Sequence, residues 1–236
     1  MKLNSNAEIY IPRLGKSAET NYLAVVAHHD DGEVLGLPGI LSAICGKETA
    51  FSVCVVTDGA GSARSGAYAD YTDLQMAKVR ATEQKQVAEA GRYAGVYLLN
   101  YPSRAAYGAG KAALTEDIRE IVRALRPKII YTHNLCDSHK THLAVAAAAI
   151  AALRGLPQNT LPEKLYGMEA WRSLDWLCAE DKIVFDVSAH RSVANALIGL
   201  YDSQIAGGKR YDIAVAARQS ANATFLTATA RTRPRR

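Results

Sequence analysis

Short apolar runs recur along the chain, and each is followed by a polar turn and then a longer stretch of mixed character. Four of these runs are rich in β-branched and aromatic residues and lack strict alternation of apolar and polar positions, which is typical of strands buried on both faces of a sheet. They span residues 21–27, 51–57, 96–101 and 128–132. Two further runs, at residues 164–171 and 182–187, predict two more strands.

The stretches between these runs carry apolar side chains at helical spacing. Helices are predicted at residues 33–46, 73–90, 115–125, 143–153, 191–202 and 211–223, the first of them interrupted by Pro38-Gly39. Strands that alternate with helices of this length indicate a doubly wound arrangement. The predicted fold class is therefore α/β, a three-layer Rossmann-like fold with a mainly parallel sheet and helices on both of its faces.

Composition agrees with one globular domain. The 236 residues are 49% hydrophobic and contain no repeat or linker, so residues 1–230 are predicted to form a single domain. Residues 231–236, Arg-Thr-Arg-Pro-Arg-Arg, hold the one dense basic cluster and are predicted to be a disordered tail. The rest of the net charge of +5 is spread widely without interleaved aromatic residues, so nucleic acid is not an expected partner.

Cysteine spacing and hydropathy bear on the compartment. The four cysteines form no C-x-x-C pair, and the first residues lack the apolar core of a signal peptide. The longest apolar run, residues 143–153, is shorter than the roughly 20 residues needed to cross a bilayer. We therefore expect a cytoplasmic protein without a membrane span, and the sequence is compatible with a homo-oligomer.

Polar side chains with metal-binding or acid–base chemistry stand at the ends of the four central strands. In a parallel sheet these ends meet at one edge, where doubly wound folds bind their ligands. The residues in question are His28, Asp30 and Asp31 after the first strand, Asp58 after the second, Ser103 after the third, and Asp137, His139 and His142 in the loop after the fourth. Their convergence predicts one site.

Two neutral histidines and one carboxylate are a common ligand set for catalytic zinc, which keeps a further position for water. His28 and Asp31, three residues apart on a turn, can converge on one ion, and either His139 or His142 can complete the set. The neighbouring carboxylate, Asp30, is then free to act as a general base. A surface turn, a helix cap and a chance His-x-x-His are the alternative interpretations, but four of the six histidines fall in these two short segments.

These residues resemble the motifs of the PIG-L/LmbE-like deacetylases, which remove N-acetyl groups from N-acetylglucosamine conjugates. The family's Ala-His-Pro-Asp-Asp stands here as Ala-His-His-Asp-Asp at residues 27–31, and its His-Pro-Asp-His stands as His-Lys-Thr-His at residues 139–142. Three weaker matches are the Thr-Asp-Gly turn at residues 57–59, Arg80-x-x-Glu83, and the Leu-Asn-Tyr-Pro strand end at residues 99–102. The resemblance covers roughly residues 20–205.

The resemblance implies a role for each motif residue. His28, Asp31 and His142 would bind Zn²⁺, with another divalent transition metal as an alternative. Asp30 would be the general base, and His139 would steady the oxyanion or protonate the leaving amine.

Substrate contacts are implied less directly. Arg80 would hydrogen-bond sugar hydroxyls, although an Arg-x-x-Glu pair is more often a surface ion pair, and Asp58 would lie against the same substrate. Ser103 stands where many family members have a sugar-binding aspartate. Glu33 is expected to be structural, and the role of Ser203 is open.

The predicted function is that of a zinc-dependent N-deacetylase acting on a small-molecule N-acetylglucosamine conjugate. An amidase that cleaves a larger amide of a glucosamine conjugate and a non-catalytic sugar- or nucleotide-binding module are the alternatives. A Rossmann dehydrogenase is disfavoured because no G-x-G-x-x-G follows the first strand. His29 in place of the family's proline, and Lys140-Thr141 in place of Pro-Asp, leave the substrate open.

Overall fold

A computed structural model describes residues 1–15, 19–172 and 174–232, with the backbone alone for residues 225–232. The last helix ends at Thr232, so residues 233–236 of the predicted disordered tail lie outside the described residues. Within the described part of the chain, no helix is both long and apolar enough to cross a membrane.

Six strands form one mixed sheet. They are β1 (Glu8–Tyr10), β2 (Tyr22–Val26), β3 (Phe51–Thr57), β4 (Gly95–Tyr101), β5 (Ile129–His133) and β6 (Lys164–Met168). Their spatial order is β1-β4-β3-β2-β5-β6. Every neighbouring pair is parallel except β1 with β4, which confirms the predicted, mainly parallel sheet.

The helices lie on both faces of this sheet. They are α1 (Asp31–Leu35), α2 (Leu37–Cys45), α3 (Asp73–Ala90), α4 (Ser103–Tyr107), α5 (Lys111–Leu125), α6 (Lys140–Arg154), α7 (Arg191–Gly199), α8 (Asp202–Ile205) and α9 (Tyr211–Thr232). Apolar residues of α5 and α6 pack against one face, and residues of α1, α2, α3 and α7 pack against the other. The three-layer α/β prediction is confirmed.

Alternation along β2 divides the core into two parts. Leu23 and Val25 belong to the cluster beneath α5 and α6, whereas Ala24 and Val26 belong to the cluster beneath α1 to α3. All four side chains are fully buried, so β2 lies at the centre of the molecule. A strand covered on both faces needs no polar face, which explains its continuous apolar sequence.

One predicted strand is wrong. Residues 182–187 form an irregular segment between two 3₁₀ turns, and Ile183 is 67% exposed. Phe185 explains the apolar character of the run, because its ring packs edge-on against Tyr131 of β5 and Tyr166 of β6. The segment therefore covers a sheet face by side-chain contact and adds no strand to the sheet.

The break in the first predicted helix falls at Gly36, two residues before the predicted Pro38-Gly39. A Cβ atom at Gly36 would lie 2.7 Å from the Gly32 carbonyl oxygen and 2.9 Å from the Phe51 ring, so the tight join between α1 and α2 requires glycine. Pro38 is accommodated in the first turn of α2, where no intrahelical N–H bond is lost.

The short elements β1 and α4 were not predicted. β1 has three residues and pairs only with β4, and its side chains are largely exposed. α4 has five residues directly after β4. Neither is long enough to show a periodic pattern.

The chain reverses its direction across the sheet at β2. From β2 it proceeds through β3 to β4 on one side, and it returns through β5 and β6 on the other. Such a reversal opens a crevice at the carboxyl ends of the two adjacent strands, here β2 and β5. The two histidine motifs follow those two strands.

Candidate metal centre

The first motif forms a tight turn between β2 and α1. The His28 backbone N–H donates to Asp31 Oδ2 at 2.8 Å, which holds the carboxylate against the turn. The same oxygen lies 3.1 Å from His28 Nδ1. Asp30, at the helix N-cap, has φ 88° and ψ −29°, and this left-handed conformation turns the chain sharply enough to bring Asp31 back onto His28.

The second motif lies at the start of α6. His139 is the N-cap residue and is exposed, whereas His142 is 8% exposed in the first turn. Asp137 organises this end of the helix: its Oδ1 accepts the His139 backbone N–H at 2.8 Å, and its Oδ2 lies 2.8 Å from His142 Nδ1. Sequence reasoning placed Asp137 in this loop without a role. The sequence feature that could have indicated its role is an acidic residue five positions before the candidate ligand His142.

Three potential ligand atoms converge between the motifs. Asp31 Oδ2 is 3.1 Å from His28 Nδ1 and 3.6 Å from His142 Nε2, and the two ring nitrogens are 3.2 Å apart. Ligand atoms of a tetrahedral zinc ion, with bonds of about 2.0–2.1 Å, lie about 3.3 Å from one another. The donor set therefore fits a small tetrahedral cation.

The hydrogen bonds around His142 agree with this interpretation. Its Nδ1 faces the Asp137 carboxylate and carries the proton in that contact, so its Nε2 presents a lone pair towards His28. A carboxylate on the far nitrogen is the usual way to fix the tautomer of a metal-binding histidine. A cation bound there would accept the lone pair that His142 Nε2 directs towards His28.

His133, the last residue of β5, is a nearby residue to which sequence reasoning gave no role. Its ring stacks on His142 with centroids 3.9 Å apart, and its Nε2 lies 3.5 Å from Asp31 Oδ2. That nitrogen also accepts the Ala27 backbone N–H at 2.8 Å, so its lone pair is already engaged. We interpret His133 as a support for the ligands, although Asp31, His133 and His142 could also surround an ion, as could His28, His139 and His142.

The electrostatics of the site favour a charged Asp31 carboxylate. Burial opposes protonation of His28, but its hydrogen bond to Asp31 and the nearby carboxylates raise its pKa above the usual value. Burial opposes ionisation of Asp31, but the surrounding His142, His28 and His133 hold its pKa below the usual value. Burial lowers the pKa of His133 to about 3, so this ring is neutral. Burial and the adjacent imidazoles of His142 and His28 also lower the pKa of His139.

Asp30 and Arg80 form a buried ion pair. Arg80, on α3, is 1% exposed and donates to an Asp30 carboxylate oxygen and to the His29 carbonyl oxygen. The other end of the guanidinium reaches Glu83 at 2.9 Å and Ser203 Oγ at 3.2 Å. Burial raises the pKa of Asp30 to about 6, against the lowering effect of Arg80.

These contacts rule out one of the two interpretations of Arg80. It does not form a surface ion pair on the helix, because its side chain is buried, whereas its predicted hydrogen bonds to sugar hydroxyls stay a prediction. The pair with Glu83 exists, but it is buried and continues to Asp30. A guanidinium that is already bonded to protein groups on both sides serves to orient Asp30.

The other two predicted substrate residues lie at the same edge of the sheet, after β3 and β4. Asp58 Oδ1 accepts the Ala60 backbone N–H at 3.0 Å and so stabilises the turn after β3. Ser103 begins α4 at the end of β4, two strands away from β2. Within the described residues, no hydrogen bond joins either side chain to the metal-binding motifs, and their substrate roles stay predictions.

Glu33 has the structural role expected of it. Its side chain is 1% exposed, and its carboxylate accepts hydrogen bonds from Tyr93 Oη at 2.7 Å, Tyr201 Oη at 2.6 Å and Gln84 Nε2 at 3.1 Å. These three donors come from α3, from the turn between α3 and β4, and from the turn between α7 and α8, so Glu33 joins the first motif to the helical layer.

The fold is shared with several solved structures at low sequence identity. N,N′-diacetylchitobiose deacetylase from Pyrococcus horikoshii superposes with a TM-score of 0.60 and 19% identity over 79% of this chain and 71% of that one. The zinc-inhibited form of teicoplanin deacetylase Orf2 gives 0.63 and 16% over 89% and 94%. GalB, the 4-carboxy-2-hydroxymuconate hydratase from Pseudomonas putida KT2440, gives 0.64 and 16% over 92% of both chains. At these identities the likeness concerns the fold.

Sequence comparison gives the family. Among curated proteins no significant match was found. A family profile described as GlcNAc-PI de-N-acetylase, PIG-L, matches residues 23–153, which is more than half of the chain and includes β2 from its second residue, both histidine motifs and Arg80. The structure also brings both predicted motifs to one edge of the predicted sheet. The chain therefore belongs to the PIG-L family.

Proposed function

We propose that this protein is a zinc-dependent N-deacetylase acting on a small molecule that contains N-acetylglucosamine. The observation that carries the proposal is the convergence of His28 Nδ1, Asp31 Oδ2 and His142 Nε2 within 3.6 Å, with a second carboxylate, Asp30, next to them in the chain. Membership of a family described as GlcNAc-PI de-N-acetylase supports the substrate class.

His28, Asp31 and His142 would hold the zinc ion. One carboxylate and two neutral imidazoles leave a net charge of +1 with Zn²⁺, and the bound ion would supply a Lewis acid that polarises the acetyl carbonyl and acidifies water. Asp137 would fix the orientation of the His142 ring, and His133 would support that ring by stacking on it.

Asp30 would take the proton from the attacking water. Water adds to the acetyl carbonyl carbon, and the C–N bond then breaks to give acetate and the free amine. Arg80 holds the Asp30 carboxylate beside the candidate ligands, so the base is oriented before substrate arrives. Asp30 is 5% exposed, which limits competition from bulk water.

His139 would complete the proton transfer. Its ring centroid lies 4.4 Å from that of His142 and 5.1 Å from that of His28, and its exposed position leaves it accessible to substrate. A donor at this point can stabilise the oxyanion or protonate the departing nitrogen. The same groups would also serve an amidase acting on a larger amide of a glucosamine conjugate.

The test is acetate release by zinc-loaded protein from a panel of N-acetylglucosaminides, with Asp30→Asn as the variant. We expect the variant to keep its zinc and to lose about 10²–10⁴-fold in kcat, the usual contribution of a general base. Glu48→Gln is the matched control, since it neutralises an exposed carboxylate before β3, at the opposite edge of the sheet.

Three outcomes would count against the proposal. Unchanged turnover in Asp30→Asn would remove the assigned base. Zinc-loaded protein that releases no acetate, but cleaves longer acyl amides, would favour the amidase. Hydration of an unsaturated acid, the reaction type named for GalB, would place the chemistry in another class.

A further inference from the structure

Three residues outside the matched family region form a wall beside the candidate metal centre. Trp171 and Tyr211 pack with ring centroids 5.1 Å apart at 41°, and the Lys209 ammonium nitrogen lies 5.1 Å from the Tyr211 ring centroid. Trp171 follows β6, Tyr211 begins α9, and Lys209 lies two residues before that helix. They come from distant parts of the chain and meet at one place.

Trp171 belongs to the metal centre's own cavity. It lines the same cavity as Asp31, His133 and His142. Glu169 holds it there, because its carboxylate accepts the backbone N–H of Trp171 at 2.7 Å and also that of Arg172. The backbone that carries the indole is therefore held in a hydrogen-bonded turn after the carboxyl end of β6.

Lys209 and Tyr211 lie against Trp171, on the turn that follows α8. α8 is fastened to α3 because Glu83 accepts both the backbone N–H and the hydroxyl of Ser203, each at 2.7 Å. Gly208, at φ 102°, then turns the chain towards α9. The Lys209 ammonium over the Tyr211 ring therefore lies next to the indole that lines the cavity of the metal centre.

The chemistry of the wall matches an amino sugar that carries an anionic group. Aromatic faces pack against the C–H faces of sugar rings and fix their position by contact area. The Lys209 side chain is exposed, and in the described part of the chain no carboxylate lies within ion-pair distance of its ammonium. Arg80, in contrast, is already occupied by Asp30 and Glu83.

We propose that Trp171, Tyr211 and Lys209 form a substrate subsite, in which the two rings contact the sugar and the ammonium binds a phosphate or carboxylate substituent. The inference rests on the proposed deacetylase function and narrows its substrate class to anionic N-acetylglucosamine derivatives. The plain alternative, an aromatic pair that only closes the core next to a solvated lysine, predicts no dependence on substrate charge.

A pair of substrates that differ in charge separates these two interpretations. N-acetylglucosamine 1-phosphate is compared with methyl N-acetylglucosaminide in zinc-loaded wild type, Lys209→Ala and Lys209→Arg. We expect Lys209→Ala to raise KM for the phosphate about 3- to 10-fold, as for loss of a partly exposed ion pair, and to change KM for the methyl glycoside less than about twofold. Lys209→Arg should restore most of the loss, and kcat should stay nearly constant.

Lys164→Ala is the matched control. It removes an exposed lysine from the start of β6, at the opposite edge of the sheet, and should leave both KM values unchanged. If the phosphate instead bound the metal directly, N-acetylglucosamine 1-phosphate would keep its KM advantage over the methyl glycoside in Lys209→Ala. Equal effects of Lys209→Ala on the two substrates, or none on either, would overturn the inference.

A binding measurement separates this inference from the proposed function. The chain has two tryptophans, so Trp176→Phe leaves Trp171 as the fluorescent reporter. Glucosamine 1-phosphate should change this signal in zinc-loaded protein, with an affinity that falls about 3- to 10-fold in Lys209→Ala. Lys209-dependent binding without acetate release would support the subsite and contradict the deacetylase. Acetate release with no effect of Lys209→Ala on KM or binding would support the deacetylase and contradict the subsite.

Discussion

Residues 27–33 and 137–142 form the motif side of the site, whereas residues 169–172 and 203–211 form its wall side. The motif side follows two central strands and begins two helices, so short-range hydrogen bonds such as His28 N–H to Asp31 and Asp137 to His142 set its geometry. The wall side also contains a local turn at Glu169, but its two segments are placed by distant partners, as Glu83 fixes Ser203 and Tyr211 packs against Trp171. One side can therefore be recognised from local sequence, and the other only from the folded chain.

Arg80 connects the two sides, and its loss should have the largest effect. Its guanidinium bonds to Asp30 on the motif side and to Ser203 on the wall side. Arg80→Met would leave Asp30 and Glu83 buried without their cation, and we expect the free energy of unfolding to fall by about 3–5 kcal/mol. Urea denaturation measures this change.

Arg104→Met, at an exposed position of α4, is the control and should stay within about 0.5 kcal/mol of wild type. If Arg80→Met were as stable as that control, Arg80 would not be the link between the two sides.

Loss of a proposed ligand should affect the motif side alone. His142→Ala removes a nitrogen that faces His28 and Asp31, and we expect zinc affinity to fall more than about 100-fold, beyond the effect of losing a supporting partner. Competition with a chromophoric chelator measures the affinity. His190→Ala removes a histidine outside both motifs and should bind zinc like wild type; full occupancy in His142→Ala would refute the ligand set.

Asp137 distinguishes a supporting residue from a ligand on the motif side, because it contacts His142 and has no proposed bond to the metal. Asp137→Ala leaves His142 Nδ1 without its carboxylate, and we expect zinc affinity to fall about 10- to 100-fold while the fold is kept. The same chelator competition applies, with circular dichroism to verify the fold. A loss as complete as that of His142→Ala would instead indicate direct coordination by Asp137.

Tyr201 gives the smallest expected effect. Its hydroxyl donates to the buried Glu33 carboxylate at 2.6 Å, so Tyr201→Phe removes one of three donors. We expect a loss of about 1–2 kcal/mol in the free energy of unfolding and unchanged zinc affinity. Tyr68→Phe is the control, since its hydroxyl bonds to exposed Asp202. A large change in zinc affinity would mean that Glu33 positions the ligands and does more than join layers.

Sequence could predict the central strands and the two motifs, because buried parallel strands are continuous apolar runs and the ligands follow them at short spacing. It could not predict that Arg80 is buried, since an Arg-x-x-Glu pair has the same pattern on an exposed helix. His133 was overlooked because it is part of β5 itself, and Trp171, Lys209 and Tyr211 carry no local signal that they meet. Residues 182–187 were mistaken for a strand because packing on Tyr131 and Tyr166 also selects apolar residues.

The positive φ of Asp30 limits which substitutions can be used to test its role in proton transfer. Asparagine tolerates left-handed backbone conformations better than most residues, so Asp30→Asn changes charge while it keeps the turn. Alanine would add a steric penalty of roughly 1–2 kcal/mol, and a β-branched residue more. A library at this position would therefore report backbone tolerance and proton transfer together, and only the Asp, Asn and Gly members would separate them.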